Sequence, residues 1–254
     1  MPTALTRPVS PGIADCELTH LERVSIDYET ARRQHAEYEA CLEHLGCRVV
    51  RLPLAADLPD SVFIEDTALV LDQVAVITHP GAASRRPETP AVADALRAYR
   101  PLLYIEPPAT LDGGDVLRLG KTIFVGLSGR SNPKSIAQLS RLLDPFGYHV
   151  QGIPLTGCLH LKSAVTQVAH DTLLLNPSWV DAALFAGWRI IEVDPSEPFG
   201  ANALLLGGSV IYPAAYTATA ARLALAGVSV CQVDASELAK AEGGVTCCSL
   251  IFEV

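Results

Sequence analysis

The chain has 254 residues, 49% hydrophobic and 19% charged, which allows a large buried core and argues against disorder. Its net charge of −9, with Arg85-Arg86 as the longest basic cluster, speaks against a nucleic-acid partner. It has no apolar run of about 18 residues, no signal-peptide core, and seven cysteines without CxxC or Cys/His metal spacing; a cytoplasmic protein with no membrane partner, metal or cofactor is expected.

Tyr28 to Leu45 reads as a helix, because Tyr28, Ala31, His35, Tyr38, Leu42 and Leu45 recur at three- and four-residue steps. Ser25 or Asp27 can cap its start, and Gly46 offers a left-handed stop. A strand at Cys47–Leu52 follows, then a hairpin of Ser61–Leu71 and Val74–Thr78 turning at Asp72-Gln73. The next helix runs from about Pro90 to Tyr99 with Thr89 as its cap, and leads to strand Leu102–Glu106. A second hairpin, Val116–Leu119 with Thr122–Gly126, turns at Gly120-Lys121. Asn132-Pro133 opens a third helix, stopped by Gly147 before strand His149–Ile153. The third hairpin is Ser163–Val168 with Thr172–Leu175, followed by a helix at Ser178–Ala186 and strand Trp188–Val193. A fourth hairpin, Ala203–Leu206 with Ser209–Tyr212, precedes helix Thr217–Ala226 and strand Val228–Val233. The tail, from Val245 through Cys247 and Cys248 to Val254, reads as a last short strand.

The strands after each helix begin near 47, 102, 149, 188 and 228, a repeat of roughly 40 to 55 residues. Each hairpin opens through a short polar signature: Glu65-Asp66-Thr67, Gly114-Asp115-Val116, Lys162-Ser163-Ala164, Ala201-Asn202-Ala203 and Val245-Thr246-Cys247. The last unit lacks its own helix, which strand Ala4–Thr6 and the first helix can supply by closing a ring. A single five-bladed α/β propeller domain over residues 1–254 is the expected architecture.

Radial units bring their hairpin mouths together. Glu65, Asp66, Asp112, Asp115, His160, Asn202 and Cys247 would then share one centre. Carboxylates in a closed site favour a cation, and paired planar hydrogen bonds favour a guanidinium. A thiolate can attack the guanidinium carbon, and a histidine can protonate the leaving amine and then activate water. The substrate's own charge would favour the thiolate, so no permanent Cys–His ion pair is needed. Arg85 and Arg130, on loops after hairpins, can bind a substrate carboxylate.

At these residues the chain resembles a known family. Asp60-Ser61-Val62-Phe63-Ile64-Glu65-Asp66, Pro80-Gly81-Ala82-Ala83-Ser84-Arg85-Arg86, Thr110-Leu111-Asp112-Gly113-Gly114-Asp115, Leu159-His160-Leu161-Lys162-Ser163 and Thr246-Cys247-Cys248-Ser249 look like the motifs of dimethylarginine dimethylaminohydrolase. That family belongs to the guanidino-group-modifying pentein superfamily of five-bladed α/β propellers. The resemblance implies hydrolysis of Nω-methylated arginines to citrulline, with Cys247 as nucleophile, His160 as general acid and base, and Asp112 orienting the histidine. It implies Asp66 as the guanidinium partner, with Leu18, Asp60, Glu65, Arg85, Arg130 and Ala241 at the amino-acid end or closing the site. The partner expected is a small guanidine, with a homodimer left open.

One departure separates relatives. Arginine deiminases and amidinotransferases resemble this pattern but usually carry His-x-Asp, whereas the residue two past His160 is Lys162. The missing carboxylate leaves room for N-methyl groups. An arginine deiminase-like hydrolase and a non-catalytic pentein binding protein are the alternatives, the latter needing no Cys/His/carboxylate set. Cys248 reads as packing, and Phe63 as core or as a cation–π partner of a guanidinium. Gly120-Lys121-Thr122 mimics the end of a phosphate loop but sits in a hairpin, and is rejected.

Overall fold

Each repeat builds the same three-stranded sheet, an antiparallel hairpin whose second strand also pairs in parallel with a third. A tight turn suffices for the antiparallel pair, whereas the parallel partner needs a crossover. The computed structural model describes residues 1–254. In chain order it places β1 (Pro2–Thr6), α1 (Tyr28–His44), β2 (Arg48–Arg51), β3 (Ala68–Val70), β4 (Ala75–Ile77), α2 (Thr89–Leu96) and β5 (Leu102–Tyr104). Next come β6 (Val116–Leu119), β7 (Thr122–Leu127), α3 (Pro133–Leu143), β8 (His149–Pro154), α4 (Leu161–Ala164), β9 (Val165–Ala169), β10 (Thr172–Leu175) and β11 (Arg189–Glu192). The chain ends with β12 (Leu204–Leu206), β13 (Ser209–Pro213), α5 (Thr217–Leu225), β14 (Ser229–Val233), α6 (Ser236–Ala239) and β15 (Leu250–Glu253).

The sheets are β3-β4-β5, β6-β7-β8, β9-β10-β11, β12-β13-β14 and β15-β1-β2. In the last, β1 pairs antiparallel with β15, Leu5 opposite Leu250, and parallel with β2, Leu5 opposite Val50. The two ends of the chain therefore close a five-bladed α/β propeller, as the missing fifth helix implied. Apolar side chains fill the seams between neighbouring blades. Phe124 of β7 meets Phe185 of the next blade edge-on at 5.2 Å, and Leu5 packs in one cluster with Ala75 and Leu96.

Local signals set most helix ends. Asp27 caps α1 by accepting from Thr30 N at 2.6 Å, and Gly46 follows the helix with φ +89°. Asn132 caps α3 through Lys134 N and Ser135 N. Three expectations need correction. Thr89 is the first residue of α2 rather than its cap: a 3-10 stretch, Ala83–Glu88, runs into the helix, and the Thr89 hydroxyl donates back to Arg86 O at 3.0 Å. The helix expected at Ser178–Ala186 shrinks to a 3-10 turn, Ala182–Phe185. Trp179 N and Val180 N both fold back onto Asn176 O, and the Asp181 side chain accepts from Ala183 N, so the backbone donors are used in turns. The hairpin mouths, read as strand, are helical turns at Ile64–Thr67, Gly113–Asp115 and Leu161–Ala164, and the tail strand starts only at Leu250.

Candidate active site

Those helical turns are what aim polar side chains at the axis. Asp66 lies in the first turn, Asp112 and His160 stand just before theirs, and Cys247 sits in the turn before β15. Close approach depends on small residues. A Cβ on Gly113 would lie 2.0 Å from Glu65 O, and one on Gly114 would lie 2.6 Å from His160 Nδ1 and 2.8 Å from Asp66 Oδ1. Only glycine lets three mouths meet here.

His160 is buried among carboxylates. Its Nε2 donates to Asp112 Oδ2 at 3.1 Å, and its Nδ1 lies 3.8 Å from Asp66 Oδ1. Burial disfavours the imidazolium, but Asp66, Asp112 and Asp115 together outweigh it and raise its pKa to about 9. Asp66 moves the other way: burial opposes its charge, yet His160, Arg85 and the Gly114 N–H at 2.9 Å bring it down to about 2. Asp112 is held by Gly81 N at 2.9 Å, so its position is set by backbone as well as by the ring.

Cys247 has the opposite balance. Burial, then the negative charges of Glu65 and Asp66, push its thiol up to about 12, although Gly244 N donates to Sγ at 3.3 Å. At neutral pH the empty centre therefore holds a neutral thiol and an imidazolium. A cation arriving beside the thiol would reverse the first of these. Cys248 is buried against Gly244 O and packs, as the sequence suggested.

The other expected site residues divide. Asp60, Phe63, Asp66, Arg85, Arg130, His160, Ala241 and Cys247 line one small central cavity, with Glu17, Leu159, Glu242 and Gly243. Glu65, Leu18 and Asp112 do not line it, Asp112 standing behind the His160 ring. Glu65 was expected to meet the substrate or to close the site; its Oε1 takes Lys162 Nζ at 2.5 Å and its Oε2 takes the Thr246 hydroxyl at 2.8 Å, which leaves it closing the ring. Leu18 packs against the apolar cluster that also holds Phe63, Ala241 and Cys247. Arg85 lines the cavity, but its guanidinium is already engaged. It pairs with Asp66, makes a fork onto Glu88 at 2.8 and 3.1 Å, and donates to Phe63 O at 2.9 Å. One Nη1 hydrogen is left for a substrate carboxylate unless the side chain releases a partner. Arg130 is freer, 3.9 Å from Asp112 Oδ2 and donating to Thr19 Oγ1 at 3.1 Å.

The central cavity measures about 20 Å3, little more than one water requires. A larger cavity, about 460 Å3, lies beside it and shares Leu159, Glu242 and Gly243 as a wall. The chemistry-bearing side chains belong to the smaller one, which an amino-acid-sized substrate exceeds.

No family model matches the chain. A dimethylarginine dimethylaminohydrolase of Streptomyces coelicolor is 41% identical over 97% of this chain and 95% of its own length. The chain belongs to the dimethylarginine dimethylaminohydrolase family. Solved structures agree. The Pseudomonas aeruginosa family member, a cysteine-to-serine mutant complexed with citrulline, matches with TM-score 0.94 and 33% identity over 98% of both chains. A histidine-to-glycine dimethylarginine dimethylaminohydrolase, as its adduct with S-methyl-L-thiocitrulline, matches with TM-score 0.93 and 33% identity over 99% of this chain and 100% of that one. This member of the dimethylarginine dimethylaminohydrolase family is accordingly a hydrolase acting on carbon–nitrogen bonds of amidines.

Within this dimethylarginine dimethylaminohydrolase fold, Asp115 and Asn202 reach the centre as the repeat implied, but their partners and that of Lys162 were not legible in the sequence. Lys162 was read only as a missing carboxylate, yet it is the cation that neutralises Glu65. Asn202 joins the third and fifth mouths, donating to Lys162 O at 3.1 Å and accepting from Thr246 N at 3.1 Å. Asp115 accepts from Leu161 N at 3.0 Å and from the hydroxyls of Ser128 and Ser131 at 2.6 Å, while burial lifts its pKa to about 6. Asp66, Asp112 and His160 place ligand atoms within 4.8 Å of one another, a spacing that would suit a cation. Arg85 already supplies positive charge to Asp66, and the ring supplies it to Asp112.

Proposed function

We propose that the protein hydrolyses monomethyl- and asymmetric dimethyl-L-arginine to L-citrulline plus methylamine or dimethylamine. The observation that carries the reading is the pairing of a neutral thiol, Cys247, with an imidazolium, His160, in a closed acidic centre. A guanidinium held by Asp66 brings the charge that Cys247 lacks. The thiol loses its proton to solvent as the cation binds, and Sγ attacks the guanidinium carbon. His160 donates its proton to the leaving amine, the carbon–nitrogen bond breaks, and a covalent thiouronium remains on Cys247. The now-neutral His160, oriented by Asp112, takes a proton from water as the water oxygen adds to the same carbon. The carbon–sulfur bond breaks, and the remaining hydroxyl proton passes to the departing sulfur, which restores the neutral thiol and leaves the ureido group of citrulline. Arg130 and Asp60 would meet the substrate's carboxylate and amine, with Arg85 joining through its remaining Nη1 hydrogen, and Leu18 and Ala241 lie at the same end.

Preference for N-methylated substrates has support of its own. Lys162 Nζ is directed into Glu65 and Gly113 O, so the position where relatives place a second guanidinium-binding carboxylate holds a committed cation. The test is citrulline release from methylated and unmethylated arginine, with Cys247→Ser alongside. Turnover of the methylated substrates and its loss in the variant are expected. Clear preference for plain arginine would favour the deiminase reading, and unchanged turnover in Cys247→Ser would sink the mechanism.

A further inference from the structure

We propose that Glu242 is a positioning residue: its carboxylate holds the loop from Glu17 to Val24 as a lid over the site. Glu242 accepts from three consecutive backbone N–H groups of that loop, Thr19 at 3.0 Å, His20 at 2.5 Å and Leu21 at 2.7 Å. A carboxylate facing three amides is a strong and directional anchor. Glu242 is also the sole non-glycine residue with positive φ, at +59°, a conformation that favours glycine. Gly243 and Gly244 follow it directly, so a residue free of that strain was chemically available next door. The side chain is therefore the reason for a strained backbone.

Glu17 also accepts from the Ser84 hydroxyl and Arg23 donates back to Ala14 O and Cys16 O, but two further polar ties of the lid differ in kind. Thr19 Oγ1 accepts from Arg130, and Glu17 N donates to Asp60 at 3.2 Å. Arg130 and Asp60 are the groups expected to meet the amino-acid end of the substrate, so substrate binding competes with those two ties. It does not compete for Glu242, whose partners are lid amides. His20, Leu21 and Val24 otherwise roof the 460 Å3 cavity, which offers no packed support on that side. Glu242 stands on the wall between the two cavities, a few residues before Cys247 and hydrogen-bonded to the segment above it. Its side chain makes no hydrogen bond to Cys247 or His160, so its loss acts on the lid first.

The inference rests on Cys247 as the buried nucleophile, and its test is read without substrate. Iodoacetamide labelling resolved by peptide mass spectrometry compares the wild type with Glu242→Gly, which suits the positive φ but deletes the carboxylate, and Glu242→Gln, which keeps the shape without the charge. Cys247 labelling is expected to accelerate by roughly tenfold or more in Glu242→Gly and by less in Glu242→Gln, because hydrogen bonds to a charged acceptor are the stronger ones. Cys158 and Cys47, buried but lining neither cavity, serve as internal standards and should label at wild-type rates. A Cys247 rate unchanged in both variants overturns the proposal, as does equal acceleration at Cys158 and Cys47, which reports a loosened fold. With a turned-over substrate, KM should rise far more than kcat falls. If no methylated arginine is hydrolysed, the labelling still reads the lid and only the substrate assignment fails.

Discussion

Asp112→Asn isolates the contact that makes His160 an acid. In the native site Asp112 Oδ1 accepts from Gly81 N and Oδ2 accepts from His160 Nε2. Asparagine keeps the shape. Its oxygen stays on Gly81 N, which turns the amide N–H toward Nε2, and a donor then faces a donor unless the ring gives up its proton. The rise of His160 from 6.5 to about 9 corresponds to about 3 kcal/mol in favour of the imidazolium. A hydrogen bond to a charged group contributes about 1.5–3 kcal/mol, so its loss should lower the midpoint by roughly one to two pH units. NMR titration of the histidine rings, assigned with His160→Gln among the seven histidines, measures this directly. Stability follows the same proton. Because the folded pKa lies above the unfolded one, the contribution of His160 is complete below about pH 6.5 and is lost as pH rises through about 9. Urea unfolding of the wild type should therefore lose up to about 3 kcal/mol across that window relative to His160→Gln, and Asp112→Asn should lose less, at lower pH. Turnover should fall by about 10²–10⁴-fold in Asp112→Asn. A wild-type ring titrating near 6.5, or an Asp112→Asn midpoint unchanged, refutes the reasoning.

Lys162→Met strands the Glu65 carboxylate with only the Thr246 hydroxyl, and should cost about 3 kcal/mol in urea unfolding, partly recovered by adding Glu65→Gln; an unshifted midpoint would show that the pair does not close the ring. Gly113→Ala puts a Cβ against Glu65 O, a backbone atom that cannot swing away, and should cost about 3 kcal/mol or more and lower Tm by roughly 6 to 12 °C. Gly120→Ala, at φ +63° with no neighbour within 4 Å, should cost only about 1 kcal/mol; equal losses at the two sites would refute the close-approach argument. Asp115 carries the reverse pH signature of Asp66. Its folded pKa, about 6, lies above the unfolded value, so its ionised form is destabilising at neutral pH, by about 3 kcal/mol, and that is regained as pH falls from about 6 toward 4. The stability gap between Asp115→Asn and wild type should shrink from pH 7 to pH 5 in urea unfolding; a constant gap would contradict the burial of that charge.

Features set by neighbours in the chain were legible in the sequence. The start of α1 at Asp27 and its stop at Gly46 depend on side-chain and backbone preferences within a few residues, as do the hairpin turn at Gly120-Lys121 and the Asn132 cap. Repetition made the ring legible as well, because five similar units that each lack a complete core must stack on one another. Even the meeting of Cys247, His160, Asp66 and Asp112 followed from their equivalent places at the hairpin mouths. Where the local signal was weak, tertiary packing prevailed: the apolar period at Ser178–Ala186 looks helical, yet its backbone donors are taken by Asn176 and Asp181.

Only the folded chain decided which charge answers which. Glu65 meets Lys162 across 97 residues, Arg85 takes Asp66 and Glu88 rather than standing free, and Glu242 reaches back more than 200 residues to grip the lid. Such pairings are set by desolvation: a charge buried at the centre must find a partner there, whichever residue the fold delivers. The sequence therefore determined the repeat, the residue types at the axis and the class of chemistry they suit. The tertiary structure decided the protonation of those residues, a thiol at about 12 and an imidazole at about 9, because burial and opposing charges act through space and leave no mark on spacing along the chain.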